Sequence, residues 1–174
     1  MNLELEPDFF SGYGISEGEI NLGLHADQPG TALLMVRLYR ELSVADEHLT
    51  DSVHMLLLTA SALWKKDTLL FPSWVTTARE LLNDKWNDPV TLNELAAAAS
   101  VHPVTVSKYF TRYFGTSFGE YRRRLKIERA IQLISSGNFP LTEVGYACGF
   151  FDQSHFIRAF KDCTTMLPKD FRKV

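Results

Sequence analysis

The sequence predicts an all-α chain: two helix-turn-helix units joined by a long central helix and preceded by a helical hairpin. Three observations predict it. Ser117 to Ser136, SFGEYRRRLKIERAIQLISS, reads as one uninterrupted helix with marked ends. The segments flanking it repeat one another at a shift of 49 residues that becomes 50. Further upstream, two runs with apolar residues at helical spacing face each other across a short polar turn.

The start of the chain carries little pattern. Residues 1–30 hold Gly12, Gly14, Gly18, Gly23, Gly30 and Pro29, and only Ile20, Leu22 and Leu24 alternate, enough for one short strand. Residues 31–43 and 46–64 then read as the hairpin, turning at Ser43 to Asp46. Ala32, Met35, Val36, Tyr39 and Leu42 make one stripe; Leu49, Val53, Leu56, Ala60 and Leu63 make the other. A second line, Leu34, Leu38 and Leu42, widens the first apolar face beyond what two helices bury. Two readings fit that surplus: self-association into a homodimer through 31–64, or packing on the other half of the same chain.

Phe71-Pro72-Ser73 marks a boundary, since the residue before proline leaves helical geometry. The expected domains are 1–72 and 73–174. Ser73 is placed to cap a helix from Trp74 to Asn83, and Asn87-Asp88-Pro89 turns the chain into the first unit, about 90–116. There Thr91 and Glu94 form a capping box ahead of Leu92 to Ala99, and Ser100-Val101 makes the turn. Pro103 suits the first position of the next helix, which runs to Phe114 before Gly115. Val106, Phe110 and Phe114 are its buried stripe, which leaves Thr105, Ser107, Lys108, Thr111 and Arg112 outside. Short hydrogen-bonding and basic side chains of this kind are what a groove-reading helix needs.

The central helix opens on a second capping box, Ser117 with Glu120, and Gly137 can close it in the left-handed conformation. Phe118, Tyr121, Leu125, Ala130, Leu133 and Ile134 form its apolar stripe, and Arg122, Arg123, Arg124, Lys126 and Arg129 fill much of the rest. Beyond it the second unit, about 139–172, repeats the first. Leu92-Asn93-Glu94-Leu95-Ala96 lies over Leu141-Thr142-Glu143-Val144-Gly145, and Lys108-Tyr109-Phe110 lies over Arg158-Ala159-Phe160. Gln153, Ser154, His155 and Arg158 take the outward positions, and Asp152, just before them, reads as an N-cap. A 20-residue strut is roughly 30 Å long, and successive major grooves on one side of B-DNA are roughly 34 Å apart. One chain of this design reaches two adjacent grooves.

The run Leu141-Thr142-Glu143-Val144-Gly145-Tyr146-Ala147-Cys148-Gly149-Phe150, with Asp152-Gln153-Ser154-His155-Phe156 and Arg158-Ala159-Phe160-Lys161, closely resembles the signature of AraC/XylS transcription regulators. The likeness covers about residues 75–174. It implies a seven-helix domain that binds double-stranded promoter DNA in the cytoplasm, with RNA polymerase as a further partner of an activator. By matched position it implies base-edge contacts from Val104, Thr105, Ser107 and Lys108, and from Gln153, Ser154, His155 and Arg158. Arg112, Arg122 to Arg124, Lys126 and Lys161 include the expected phosphate neutralisers, though three consecutive arginines span most of the helix circumference and Glu120 and Glu128 are placed to pair with some of them. The chain departs from the pattern at Thr164-Thr165, where the family has an aromatic and glycine, and at Leu167, where Thr or Ser precedes the proline. Each loss is worth about 1 kcal/mol and predicts a less rigid second unit. The family's sensory β-barrel, which usually precedes such a hairpin, does not fit in 30 residues, so a short form or a fragment, without an inducer pocket, is expected.

Charge and composition agree. Residues 1–74 hold 11 acidic and 4 basic side chains, and residues 75–174 hold 10 and 14. That asymmetry suits one half meeting nucleic acid. The start lacks a signal peptide's basic and apolar regions, no apolar run approaches membrane-spanning length, and two cysteines make no disulfide framework. The five histidines have no metal-ligand spacing, no cofactor is implied, and Cys148 reads as packing, with Cys163 open as an exposed redox thiol. The expected function is a non-catalytic, sequence-specific regulator. Its rivals are an interaction module that inhibits full-length regulators and, far behind, a DNA-repair alkyltransferase.

Overall fold

The helical spacing of the hairpin folds as expected in the computed structural model, which describes residues 9–12, 30–44, 46–65 and 71–173. A single turn, α1 (Phe9–Gly12), precedes α2 (Thr31–Val44) and α3 (Leu49–Lys65). The strand expected at Ile20 to Leu24 lies outside the described residues. The chain forms two compact units, Met1–Leu70 and Phe71–Val174.

Within the first unit, Leu34 and Leu38 of α2 pack on Val53 and Leu57 of α3, with Leu42, Leu49 and Leu56 at the margins. The seam therefore follows the Leu34-Leu38-Leu42 line, while Met35 is exposed and Tyr39 half-buried. An unbroken i, i+4 row of leucines makes one continuous ridge, whereas the Met35 row leads into the polar tip of Tyr39. Asp46 accepts a hydrogen bond from the amide of His48 at 2.9 Å and so fixes the turn.

The second unit is built of α4 (Ser73–Asp84), α5 (Leu92–Ala98), α6 (Pro103–Phe114), α7 (Phe118–Ser135), α8 (Leu141–Ala147), α9 (Gln153–Thr164) and α10 (Pro168–Phe171). Pro72, not Ser73, holds the N-cap of α4, and no side chain caps that end. Proline's fixed, extended backbone brings the first helical residue forward by one, so Ser73 is already inside the helix. At α5 the expected capping box is complete: Thr91 accepts from the Glu94 amide, and the Glu94 carboxylate accepts from the Thr91 amide at 2.7 Å. These hydrogen bonds hold the Glu94 carboxyl below its ordinary range.

The repeat is exact in element length. Helices α5 and α8 have 7 residues each, and α6 and α9 have 12 each. The change of shift from 49 to 50 falls on one residue. The amide of Val101 donates to Ala96 and that of Phe150 donates to Gly145, so those pairs are still 49 apart. His102 caps α6 and Asp152 caps α9, which are 50 apart. Phe151 is the inserted residue.

Side chains compensate across the repeat. Ala96 and Val106 are buried together in the first core, with Trp74, Val75, Leu82, Leu95, Phe110, Tyr121 and Leu125. In the second unit Phe156 stands where Val106 was, and Gly145 stands where Ala96 was. A Cβ on Gly145 would lie 3.3 Å from the Phe156 ring, tighter than ordinary contact, so the larger ring requires the smaller partner. Rings at matching positions keep their spacing: Phe110 and Tyr121 have centroids 5.9 Å apart, Phe160 and Phe171 5.8 Å apart. Phe114, stacked on Phe110 at 4.1 Å, has Thr164 as its counterpart. Thr164 is fully buried and donates its hydroxyl to the Phe160 carbonyl at 2.7 Å, which satisfies the polar atom in place of a stacked ring. Thr165 keeps the left-handed conformation of its counterpart Gly115, with φ 64° against 72°.

Helix α7 buries more of its surface than one stripe. Ile127 and Ile131 join Tyr121, Leu125, Ala130 and Ile134 in the interior, while Leu133 is only half-buried. A strut gripped by a unit at either end needs apolar residues on two faces, which a single-stripe reading misses. Its capping box is half-made. Ser117 accepts from the Glu120 amide, but the Glu120 carboxylate turns along the helix to Arg123 at 2.8 Å and Arg124 at 3.4 Å. Two guanidiniums outcompete one backbone amide for that carboxylate.

Candidate nucleic-acid interface

Helix α6 is started by two devices. Pro103 sits in the first turn, and the His102 ring accepts from the Val104 amide through Nδ1 at 3.2 Å. With Val106 and Phe110 anchored in the core, Val104, Ser107, Lys108, Thr111 and Arg112 are exposed and Thr105 is half-buried. Lys108 and Arg112 lie over the rings of Tyr109 and Tyr113, at 5.3 and 5.8 Å, which restrains two long side chains along the helix.

Helix α9 is started by Asp152, whose carboxylate accepts from the His155 amide at 2.7 Å. Its oxygen is committed to the helix end, as the N-cap reading has it. Phe156 and Phe160 are fully buried, which leaves Gln153, Ser154, His155, Arg158 and Lys161 exposed. The His155 ring meets the edge of Phe150 at 5.3 Å, so it leans back toward the turn. The ten residues expected at the DNA from the two reading helices lie five on each, and all but Thr105 are exposed.

The basic face of α7 is divided between side chains tied within the unit and side chains left exposed. Arg122 donates to the Val90 carbonyl at 3.2 Å and also to the Asp88 carbonyl. Lys126 donates to the Gly149 carbonyl at 3.0 Å, and burial and the neighbouring Arg122 charge lower its pKa. Both are therefore tied to loops within the unit rather than held out for phosphate. Arg123 and Arg124 share Glu120, and they are exposed. Arg172, the counterpart of Arg122, donates to the Phe139 carbonyl, the counterpart of Val90. That duplicated arginine was the available signal for a structural role. Asn87, which donates to the Ala147 carbonyl at 3.1 Å, gave no such signal.

Cys148 is fully buried, and burial pushes its thiol up to about 11, which disfavours the thiolate that nucleophilic chemistry needs. Cys163 is also buried, on the inner face of α9, which closes the open possibility of an exposed redox thiol. Among the described residues no three His, Cys, Asp or Glu side chains cluster as a metal site, and no helix is long and apolar enough to cross a membrane.

This architecture defines a double helix-turn-helix domain. Residues 95–174 match the family model of that description, "Helix-turn-helix domain". The chain is similar to the arabinose operon regulatory protein of Escherichia coli, 35% identical over 78 residues, which covers 45% of this chain and 27% of that protein. It is also similar to the uncharacterized HTH-type transcriptional regulator YijO of the same organism, 27% identical over 95 residues, covering 55% and 34%. Among solved structures, it resembles the C-terminal domain of AraT, a response regulator from Geobacillus stearothermophilus, with TM-score 0.54, 25% identity and coverage of 60% and 88%. A probable AraC family transcriptional regulator from Rhodopseudomonas palustris gives TM-score 0.53, 26% identity and coverage of 59% and 96%. Residues 95–174 carry a helix-turn-helix domain of the AraC type, and the regulators and solved domains it resembles include AraC-family members. The chain spans only 34% and 27% of the two curated relatives.

Proposed function

We propose that this chain regulates transcription by reading two successive major grooves of promoter DNA, α6 in one and α9 in the next. The observation that carries this is the pair of exposed polar faces on helices of equal length at the two ends of one strut. At 1.5 Å per residue the 18 residues of α7 extend about 27 Å, which with the width of a helix on either side suits the groove repeat of roughly 34 Å. Base edges would be read from Val104, Thr105, Ser107 and Lys108 and from Gln153, Ser154, His155 and Arg158. Arg112, Lys161, Arg123 and Arg124 would meet phosphate. Arg122 and Lys126 have other work.

The domain reading that goes with this is 73–174 for DNA and 1–72 for association, with the hairpin as a homodimer surface. Met35, Val44 and Met55 are exposed there and support it. Such a regulator works in the cytoplasm beside its DNA. Selection of binding sites from random duplexes, followed by footprinting, tests the reading. Two protected segments about one helical turn apart are expected. Protection of a single segment, or none, would overturn it.

A further inference from the structure

Phe151 stands outside the packed core. It is the one residue inserted in the second unit's turn, and it is 89% exposed although its neighbour Phe150 is buried. A lone apolar side chain on a surface is ordinary, but this one stands at the tip of a helix whose outward residues are all polar. Asp152 between Phe151 and Gln153 is extended, with φ −147° and ψ 168°. In extended backbone alternate side chains share a side, so the ring projects with Gln153, the first residue of α9. In helix-turn-helix binding, that N-terminal end enters the major groove and meets base edges.

We infer that Phe151 is a specificity residue of the second unit, whose ring packs on the 5-methyl group of a thymine. The inference rests on the DNA reading proposed above. A phenyl ring has no donor or acceptor, so among the major-groove edges only the thymine methyl offers it an apolar partner. Burying the ring there removes from water an area that the folded protein leaves exposed. The first unit has no equivalent: Val101 is packed on its core, and the residue that would match Phe151 is absent.

The test uses the full chain and a duplex obtained by selection from random DNA. Each thymine of the α9 half-site is replaced in turn by deoxyuridine, which removes one methyl and leaves every hydrogen bond. One replacement is expected to weaken wild-type binding about tenfold, and Phe151→Ala to weaken binding to the parent duplex by a similar factor. Combined, they are expected to weaken it no further, and Phe151→Leu is expected to retain part of the effect. If Phe151→Ala binds as tightly as wild type, or if its loss simply adds to that of every deoxyuridine, Phe151 does not read a thymine methyl. Failure of the DNA reading itself looks different: the wild type then selects no duplex, and this inference falls with it.

Discussion

The ammonium of Lys126, midway along the strut, donates to the carbonyl of Gly149 in the turn of the second unit at 3.0 Å. Asn87, in the loop that leads into the first unit, reaches the carbonyl of Ala147, two residues earlier at the end of α8, at 3.1 Å. The turn is thereby held from the strut and from the first unit at once. Two modules that would otherwise share only a helix acquire a fixed relative orientation, and two reading helices must keep such an orientation to enter adjacent grooves together.

Gly149 is where that arrangement is most vulnerable. Its φ is 69°, and a Cβ there would lie 2.3 Å from Asn87 Oδ1 and 2.8 Å from Lys126 Nζ. Gly149→Ala is expected to cost about 2 kcal/mol, from left-handed strain and displaced hydrogen bonds together. Denaturant unfolding measures it. A variant as stable as wild type would mean that these contacts hold nothing.

Thr165 offers the opposite sign. A β-branched residue at φ 64° is strained, and its counterpart Gly115 shows what the position prefers. Thr165→Gly is expected to stabilise the chain by about 0.5–1 kcal/mol, the strain relief being partly offset by the lost hydroxyl bond to Thr164 and a more flexible unfolded chain. A lowered thermal midpoint would show that the threonine hydroxyl outweighs the strain.

Where sequence patterns carry structure, and where they do not, follows from what each residue answers to. Thr91 with Glu94, Pro103, Gly115 and Asp152 act on their own helix ends, so local spacing discloses them. The repeat aligned α5 with α8 and α6 with α9 because a module must bury the same faces twice. Arg122, Lys126 and Asn87 act on carbonyls 23 to 60 residues away. Nothing in their immediate neighbours distinguishes such residues from a solvated basic face. Only the pairing of Arg122 with Arg172 across the repeat hints at it. Ile127 falls outside the single stripe read for α7 because that helix is covered on two faces, whereas Cys163, three residues beyond Phe160, lies on the one buried stripe of α9.

The hairpin supplies a prediction about assembly. Met55 is 64% exposed, whereas Leu56 packs at the margin of the hairpin's own seam. Met55→Asp therefore tests a partner surface without disturbing the hairpin core. If the proposed homodimer forms there, sedimentation should show dimeric wild type and monomeric variant with unchanged helicity. A wild type that stays monomeric at high concentration removes the proposal.

Salt should weaken duplex binding steeply, since every phosphate neutralised releases counterions. Lys161, exposed in the last turn of α9, is expected to be one such contact. Lys161→Ala should reduce affinity on all sequences alike and lower the log–log salt slope by about 1. Lys126→Ala, in contrast, should leave the slope nearly unchanged while lowering stability, because its ammonium is held by Gly149. Equal slope changes in the two variants would contradict the division of the basic residues drawn from the structure.

The two reading helices differ at one matched position, and that difference is testable. Lys108 and Arg158 are 50 residues apart, both exposed, each two residues beyond a fully buried anchor, Val106 and Phe156. Arginine's planar fork donates to guanine O6 and N7 together, while lysine's ammonium is a point charge with no preferred plane. Lys108 is also drawn over Tyr109 at 5.3 Å, and leaving the ring would offset part of any contact it makes. Arg158→Ala is therefore expected to cost about 1–3 kcal/mol in binding and to relax preference at one or two base pairs. Lys108→Ala should cost less and act about one helical turn away along the site. The strained Thr165 argues the other way, since a loosened second unit would leave Arg158 idle on the duplex. Against that, Thr164 is fully buried and hydrogen-bonded, and Lys126 and Asn87 hold the turn that positions α9. Gel shifts over single-base operator variants decide the matter. Should Arg158→Ala leave affinity and base preference intact while Lys108→Ala abolishes binding, the chain reads DNA through its first unit alone.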